Sequence, residues 1–138
     1  LLPQGTLIWG GPGIGAFRDG VSIAVSATQD CSEASVCTGF PVRFDINSDS
    51  ERERFWMTIE SFAKVRMIGS AATSLANVAC GFADAYVEYG IMLWDVAAGV
   101  AIVNGAGGVC HIKPGHVENS LNVAAGNPQL LDVWSVSL

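Results

Sequence analysis

Two carboxylates lying close together in the sequence are the strongest candidates for chemistry in this chain. Glu88 lies two residues before Gly90, and Asp95 follows Trp94. The small residues that come soon after Asp95 are typical of a helix start. One carboxylate is therefore predicted beside a turn and the other at the beginning of a helix. Carboxylates in these positions can hold a hard metal ion or a hydroxylated ligand. Helix capping by Asp95 is the alternative, and the spacing alone favours it.

A segment of small residues forms a second candidate for a binding site. Gly69, Ser70 and Ala71 are predicted to open a helix that continues to Cys80. Small side chains there allow another backbone or a ligand to approach closely, and the free N–H groups of a helix start could face an anion. Ser70 is predicted to cap this helix and not to act as a nucleophile, because the sequence shows no histidine in a recognisable base arrangement.

Composition restricts the possible partners. The chain has 138 residues, half of them apolar, which is enough for one folded domain with a core. Its formal net charge of −6 argues against nucleic acid, whose phosphates need clusters of Lys and Arg, and is compatible with cations. The apolar runs on either side of Gly99 are far shorter than the roughly 20 residues of a membrane span, so no membrane partner is expected.

The four cysteines are predicted to be reduced thiols of a cytoplasmic protein. Cys31, Cys37, Cys80 and Cys110 form no C-x-x-C pair and have no histidine at zinc-site spacing. Cys80 and Cys110 lie among small apolar residues and are expected to be buried. Two disulfides remain possible in principle.

Apolar periodicity and turn residues predict an α/β fold in which strands alternate with helices. Ser48 with Glu51 forms a capping-box pattern before the first helix, and Asn127-Pro128 introduces a short helix or strand at the end. The remaining predictions are a hairpin over 6–25, strands over 34–39, 65–68, 85–88 and 109–112, and helices over 49–63, 69–80 and 95–103. The last helix is nearly all apolar and is predicted to be buried, with Trp94 packed as an anchor for Asp95.

The beginning of the chain is unusual, because it opens on Leu1 and its first methionine is Met57. Either a segment upstream was removed or the chain is part of a longer protein, and we expect the second.

The motifs resemble those of one known family along nearly the whole chain. In order and at the right spacing, they match the carboxy-terminal half of the inositol monophosphatase family. The matching segments are Gly13-Ile14-Gly15-Ala16-Phe17, Gly69-Ser70-Ala71-Ala72, Gly81 to Tyr86, Glu88, Gly90, Trp94-Asp95, Ala97-Ala98-Gly99, Ala106-Gly107-Gly108 and Asn127-Pro128.

The resemblance implies a fold, an activity and a set of site residues. The fold is the carboxy-terminal part of a layered α-β-α-β-α sandwich, the sugar-phosphatase fold. Residues 1–25 would be hairpin strands of the missing amino-terminal half's sheet, and 26–138 the carboxy-terminal α/β domain. The activity is magnesium-dependent hydrolysis of a small phosphate monoester of a polyol or sugar. Asp95 matches a Mg²⁺ ligand, Glu88 a residue that binds substrate hydroxyls, and Gly69, Ser70 and Ala71 the lining of the substrate pocket.

The departures from the family pattern concern the other metal ligands. These lie in the family's amino-terminal half, in a glutamate and an Asp-Pro-x-Asp-Gly-Thr loop that this chain lacks, and Gly105 stands where many relatives have glutamate. No catalytic residue is assigned, and the chain alone is expected to be inactive. The intact protein is expected to be a homodimer that includes the missing half.

Two questions stay open at this point. The chain could instead be a non-catalytic module that keeps the fold and binds a ligand or partner. The substrate could be inositol monophosphate, a sugar bisphosphate, histidinol phosphate or an adenosine bisphosphate, with Glu88 favouring a polyol.

Overall fold

A computed structural model describes residues 5–40 and 44–134, and its strands form two separate sheets. The smaller sheet is antiparallel and comes from the predicted hairpin, with β1 at Ile8–Gly11, β2 at Gly15–Arg18 and β3 at Val21–Ser22. The larger sheet has five strands in the order β5-β4-β6-β8-β7. Its members are β4 (Ser35–Thr38), β5 (Lys64–Arg66), β6 (Ala85–Met92), β7 (Val109–Pro114) and β8 (Ser120–Gly126).

Four helices complete the described residues. They are α1 (Asp49–Ser61), α2 (Ala71–Ala79), α3 (Leu93–Gly105) and α4 (Pro128–Val133). The large sheet is mixed, since β4 pairs in parallel with β5 and β6 while β8 pairs antiparallel with β6 and β7.

The two faces of the large sheet belong to two different core clusters. On one face, Tyr86, Val123 and Ala125 pack with side chains of α2 and α3. On the other face, Ala124 packs with Phe62 after α1 and Leu130 of α4. Ala16 of the hairpin belongs to the first cluster, so the small sheet packs on the side of α2 and α3 that faces away from the large sheet. The layers therefore run from the small sheet to α2 and α3, then to the large sheet, and then to the side of α1 and α4. This layered α/β arrangement confirms the predicted fold class.

Strand β8 is an element that the sequence pattern failed to predict. It lies between β6 and β7, and its last four residues, Val123 to Gly126, are all buried. Three of those four are Ala or Gly, which have low strand propensity. They form a strand because the neighbouring strands pair with them and helices cover both faces, and neither effect is visible locally.

Helix α3 differs from its prediction in two ways. It begins at Leu93, not at Asp95, because Met92 takes the extended N-cap conformation. It is also not buried on all sides, since only Val96, Gly99 and Val103 are buried. The prediction that Trp94 is a packing anchor is wrong, because Trp94 is 67% exposed. One stripe of the helix is enough to pack against α2 and the sheet.

Contacts between backbones hold the hairpin against α3. A Cβ atom on Gly105 would lie 2.6 Å from the carbonyl oxygen of Gly15 and 2.8 Å from the backbone of Gly11. The glycine that departs from the family pattern is therefore required by this close approach. The division into 1–25 and 26–138, with the hairpin joining a further sheet, stays a prediction.

The cysteines and the helices give two further findings. All four cysteines are free; Cys37 is buried, whereas Cys80 and Cys110 are only half-buried, so the prediction that Cys80 and Cys110 are buried is partly wrong.

Within residues 5–40 and 44–134, no helix has the length and apolar character needed to cross a membrane.

Candidate functional site

One cleft, with a volume of about 990 Å³, brings together all the site residues predicted from the sequence. The ends of β4 and β6, the N-termini of α2 and α3, one side of α1 and the loop between β7 and β8 form its walls. Gly69, Ser70 and Ala71 line it on one side, and Glu88 and Asp95 line it on another. Their placement in one cleft leaves their individual roles as predictions.

The start of α2 is built as the sequence predicts. The hydroxyl of Ser70 accepts a hydrogen bond from the backbone N–H of Thr73 at 3.3 Å, so Ser70 is the N-cap. Gly69 has a φ of +76°, a conformation that glycine adopts without strain. A Cβ atom added to Gly69 would meet nothing within 4 Å, which leaves the helix start open to the cleft.

Glu88 is a buried carboxylate, with only 7% of its surface exposed. It accepts a hydrogen bond from the Tyr86 hydroxyl at 3.0 Å, and a Cβ atom on Gly39 would lie 2.8 Å from its Oε2 atom. Burial raises the pKa of Glu88, and the nearby charge of Asp95 raises it too, while the hydrogen bond from Tyr86 opposes both. Burial and the adjacent carboxylate raise the pKa of Tyr86 as well, so this hydroxyl stays protonated and remains a donor.

A β-bulge lies between the two carboxylates. Glu88 pairs with Val123 and Ile91 pairs with Leu121, so two residues of β6 stand opposite the single residue Asn122. Gly90 in the bulge has a φ of +71°, and its N–H donates to the side-chain oxygen of Asn122 at 3.0 Å. After the bulge, β6 runs directly into α3, which places Asp95 at the same cleft as Glu88.

Asp95 lies in the first turn of α3 and is exposed. The N-cap is Met92 and no side chain caps this helix, so the capping alternative for Asp95 is wrong. Of the hydrogen bonds and ion pairs among the described residues, none involves Asp95, and the N-terminal end of the helix favours its negative charge. Its carboxylate is therefore available to a ligand from the cleft.

As a metal site, the cleft is incomplete in the part of the chain that is described. No group of three or more His, Cys, Asp or Glu residues there could hold a metal ion. Asp95 fits the chemistry of a hard cation, since it offers carboxylate oxygens that no neighbouring group uses. Any further ligands would have to come from outside the described residues.

Three other polar residues, Asp84, His111 and His116, take structural or surface positions. Asp84 is structural: its Oδ2 atom accepts from the N–H of Ser35 at 2.6 Å and from the hydroxyl at 2.9 Å. Burial alone would raise the pKa of Asp84, but hydrogen bonding, most strongly from the Ser35 N–H, outweighs it and lowers the pKa. His111 is exposed in β7, and His116 is exposed in the following loop, at the edge of the cleft.

Several residues of the cleft were missed by the sequence analysis. Tyr86 and Asn122 act through partners on neighbouring positions of the sheet, and only the completed sheet reveals them. Phe55 of α1 also lines the cleft. It does so together with Phe40 and Phe44, and near it the guanidinium carbon of Arg54 lies 5.5 Å from the centre of the Tyr89 ring.

Comparison with known proteins places this cleft in a family context. The family model described as "Inositol monophosphatase family" matches residues 3–136. The chain is 40% identical over 102 residues to a protein of Xylella fastidiosa named "Nus factor SuhB", which covers 73% of this chain and 37% of that protein. It is 34% identical over 131 residues to an "Inositol monophosphatase" of Dictyostelium discoideum, covering 89% of this chain and 47% of that protein.

A solved structure agrees with these sequence relatives. The inositol monophosphatase of Anabaena (Nostoc) sp. PCC 7120 superposes with a TM-score of 0.81 at 35% identity, covering 93% of this chain and 54% of that one. The chain thus spans between about a third and about a half of the length of these proteins.

Proposed function

The chain belongs to the inositol monophosphatase family, and we propose that it forms the carboxy-terminal wall of a magnesium-dependent phosphatase site. The substrate would be a small phosphate monoester. The observation that carries this proposal is the meeting of Glu88, Asp95 and the N-termini of two helices at one cleft. The second candidate, a non-catalytic module, shares the cleft but does not need the free carboxylate of Asp95.

Each wall of the cleft has a defined task in this proposal. The open N–H groups at the start of α2 would bind the phosphate, because a helix N-terminus attracts anions. Glu88 would accept hydrogen bonds from substrate hydroxyls when it is ionised, and the hydroxyl of Tyr86 would hold its carboxylate in place. In this proposal an ester would lie with its phosphate towards α2 and its alcohol towards Glu88.

Asp95 would supply the metal ligand of this wall. A bound Mg²⁺ would neutralise phosphate charge and activate water for attack on phosphorus. Because the described residues hold no complete metal site, the other ligands would come from an amino-terminal half. We therefore propose that this chain alone is inactive, that the active protein includes that half, and that the intact protein is a cytoplasmic homodimer.

The test of the proposal is the substitution Asp95→Asn in this chain combined with the amino-terminal half of an inositol monophosphatase. The change removes the charge with little change of volume. We expect magnesium-dependent hydrolysis to fall by at least about 100-fold, since a metal contributes several kcal/mol to the transition state. Thermal melts would show that the fold persists.

The matched control is Asp132→Asn, which removes a carboxylate of the same type from the exposed side of α4. It should leave the rate unchanged. A wild-type rate for Asp95→Asn at limiting magnesium would show that the ligand assignment is wrong.

A further inference from the structure

The side chain of Asn122 completes the β-bulge between the two carboxylates of the site. Two residues of β6, Tyr89 and Gly90, stand opposite this single residue of β8. A bulge of this kind interrupts the hydrogen-bond ladder and leaves its extra residue unpaired. Here the N–H of Gly90 donates to the side-chain oxygen of Asn122 at 3.0 Å. The side chain thus replaces the backbone partner that a regular ladder would supply.

The bulge decides which face of the sheet the end of β6 occupies. Side chains alternate along a regular strand, so one extra residue moves every later side chain to the other face. Tyr86 belongs to the core cluster of α2 and α3, and Ile91 packs against the same cluster although the two are an odd number of positions apart. Tyr89 packs against the cluster on the opposite face. The extra residue therefore turns the end of β6 towards α2 and α3.

The two carboxylates share one side of the sheet because of this change of face. Glu88 pairs with Val123, a member of the cluster formed with α2 and α3, so its side chain is on that face. Helix α3 follows β6 without a loop and packs on the same face through Val96. Asp95, in the first turn of α3, consequently meets the cleft on the side of Glu88.

The loop before β8 holds the start of α3 as well. The N–H of Leu93 donates to the carbonyl oxygen of Asn119 at 2.9 Å. The loop itself is closed by Ser120, whose hydroxyl donates to the carbonyl of Val117 at 2.6 Å and whose carbonyl accepts from the N–H of Gly115 at 2.8 Å. The passage from β6 into α3 is therefore attached to β8 at the bulge and again at the first residue of the helix.

An asparagine at this position is unfavourable for the strand itself. Asn122 is half-buried in β8, and asparagine is depleted in strands, where a β-branched or aromatic residue packs better. What asparagine adds is a side-chain acceptor within reach of the bulge. Bulges are common next to active sites, where they re-aim a side chain, and this bulge lies in the wall of the cleft.

We propose that Asn122 is a positioning residue of the site, which fixes the bulge at Gly90 and thereby the spacing of the Glu88 and Asp95 carboxylates. It acts through the backbone of β6 and not on the reacting atoms. The spacing matters because one ester must meet both carboxylates, and a displacement of about 1 Å can cost about 100-fold in rate. For its effect on hydrolysis, this inference rests on the proposed function; its effect on the backbone does not.

The first test follows backbone amides of the chain alone by NMR. Asn122→Asp keeps the acceptor, whereas Asn122→Leu keeps the approximate volume and removes it. We expect the Gly90 amide to exchange with solvent at least about tenfold faster in the leucine variant than in the wild type, and to stay protected in the aspartate variant. The amide signal of Asp95 should move further in the leucine variant. Equal exchange of the Gly90 amide in all three proteins would overturn the inference.

The second test measures hydrolysis by the chain combined with the amino-terminal half of an inositol monophosphatase. Asn122→Leu should lower kcat/KM by about 10- to 100-fold and raise the magnesium concentration needed for half-maximal rate. Asn122→Asp should restore kcat/KM to within about threefold of the wild type. A merely structural role would lower Tm and leave kcat/KM of the folded protein unchanged.

The matched control is Asn127→Leu. Asn127 also accepts from a backbone N–H, that of Leu130 at 2.8 Å, but it is buried outside the cleft. Its substitution should lower Tm and leave kcat/KM unchanged at a temperature where the variant is folded.

The outcomes separate this inference from the function on which it rests. A wild-type kcat/KM for Asn122→Leu, or an equal loss in Asn122→Asp or in Asn127→Leu, would overturn the positioning role. A wild-type mixture without magnesium-dependent hydrolysis would contradict the proposed function instead, and exchange of the Gly90 amide would then decide whether Asn122 holds the bulge.

Discussion

The substitution Gly99→Ala tests how the two helices that open onto the cleft are held together. Gly99 of α3 faces Leu75 of α2, which is fully buried. An added Cβ atom would lie 2.6 Å from both the Cβ and the Cδ1 atoms of Leu75, about 0.8 Å short of ordinary contact, which begins at 3.4 Å. Because one of these atoms is a Cβ, rotation of the leucine cannot relieve the clash, and the helices must separate.

The size of the effect is a difference between two opposing terms. Overpacking a core costs about 1–3 kcal/mol, whereas replacing glycine by alanine within a helix gains about 1 kcal/mol. We therefore expect a net loss of up to about 2 kcal/mol in the free energy of unfolding, and a fall in Tm of up to roughly 10 °C.

The assay is urea and thermal unfolding followed by circular dichroism. Ala98→Gly is the matched control, because Ala98 is the exposed neighbour of Gly99 in the same helix. Its substitution measures only the difference in helix propensity between alanine and glycine. If Gly99→Ala stabilises the protein by the amount that Ala98→Gly destabilises it, the close approach of α2 and α3 does not exist and this reasoning is refuted.

Two further predictions concern the buried carboxylate Glu88. Tyr86→Phe removes the hydrogen bond that lowers the pKa of Glu88, so the pKa of Glu88 should rise further, whereas Asp95→Asn should lower the pKa of Glu88. A carbon-13 NMR titration of the Glu88 carboxyl group measures both changes. Shifts of this pKa in the same direction would contradict the arrangement. Because the folded-state pKa of Glu88 is raised, the native state holds this proton more tightly than the unfolded state. The stability that Glu88 contributes is thus present below its ordinary pKa and is lost as pH rises through the raised value. Unfolding measured at several pH values should show this loss. Glu88→Gln should remove this part of the pH dependence, and an unchanged pH dependence in the variant would contradict the prediction.

Elements with local signals could be predicted from the sequence. Ser48 accepts from the N–H of Glu51 at 3.5 Å, as its capping-box pattern indicates, and Asn127 caps the short α4 with Pro128 in its first turn. The cap of α2 at Ser70 is of the same kind. Each of these interactions joins residues three positions apart, so the sequence itself contains both partners.

Features that depend on distant partners could not be predicted in this way. The bulge at Gly90 is completed by Asn122, 32 residues further along the chain and on a strand that has no local signal. Burial of Glu88 results from the neighbouring strand β4, whose end brings Gly39 against it. The exposed face of α3 was missed because apolar residues occur on every side of the helix, and the pattern gives no indication of which stripe packs.

We propose that this chain supplies one wall of a metal-dependent phosphatase site. The most direct test of this claim is magnesium-dependent hydrolysis of phosphate monoesters by this chain alone and by the chain mixed with the amino-terminal half of an inositol monophosphatase. We expect no turnover by the chain alone and turnover on mixing that requires both magnesium and Asp95. Full turnover by the chain alone, or a mixture whose activity is indifferent to Asp95→Asn, would contradict the claim.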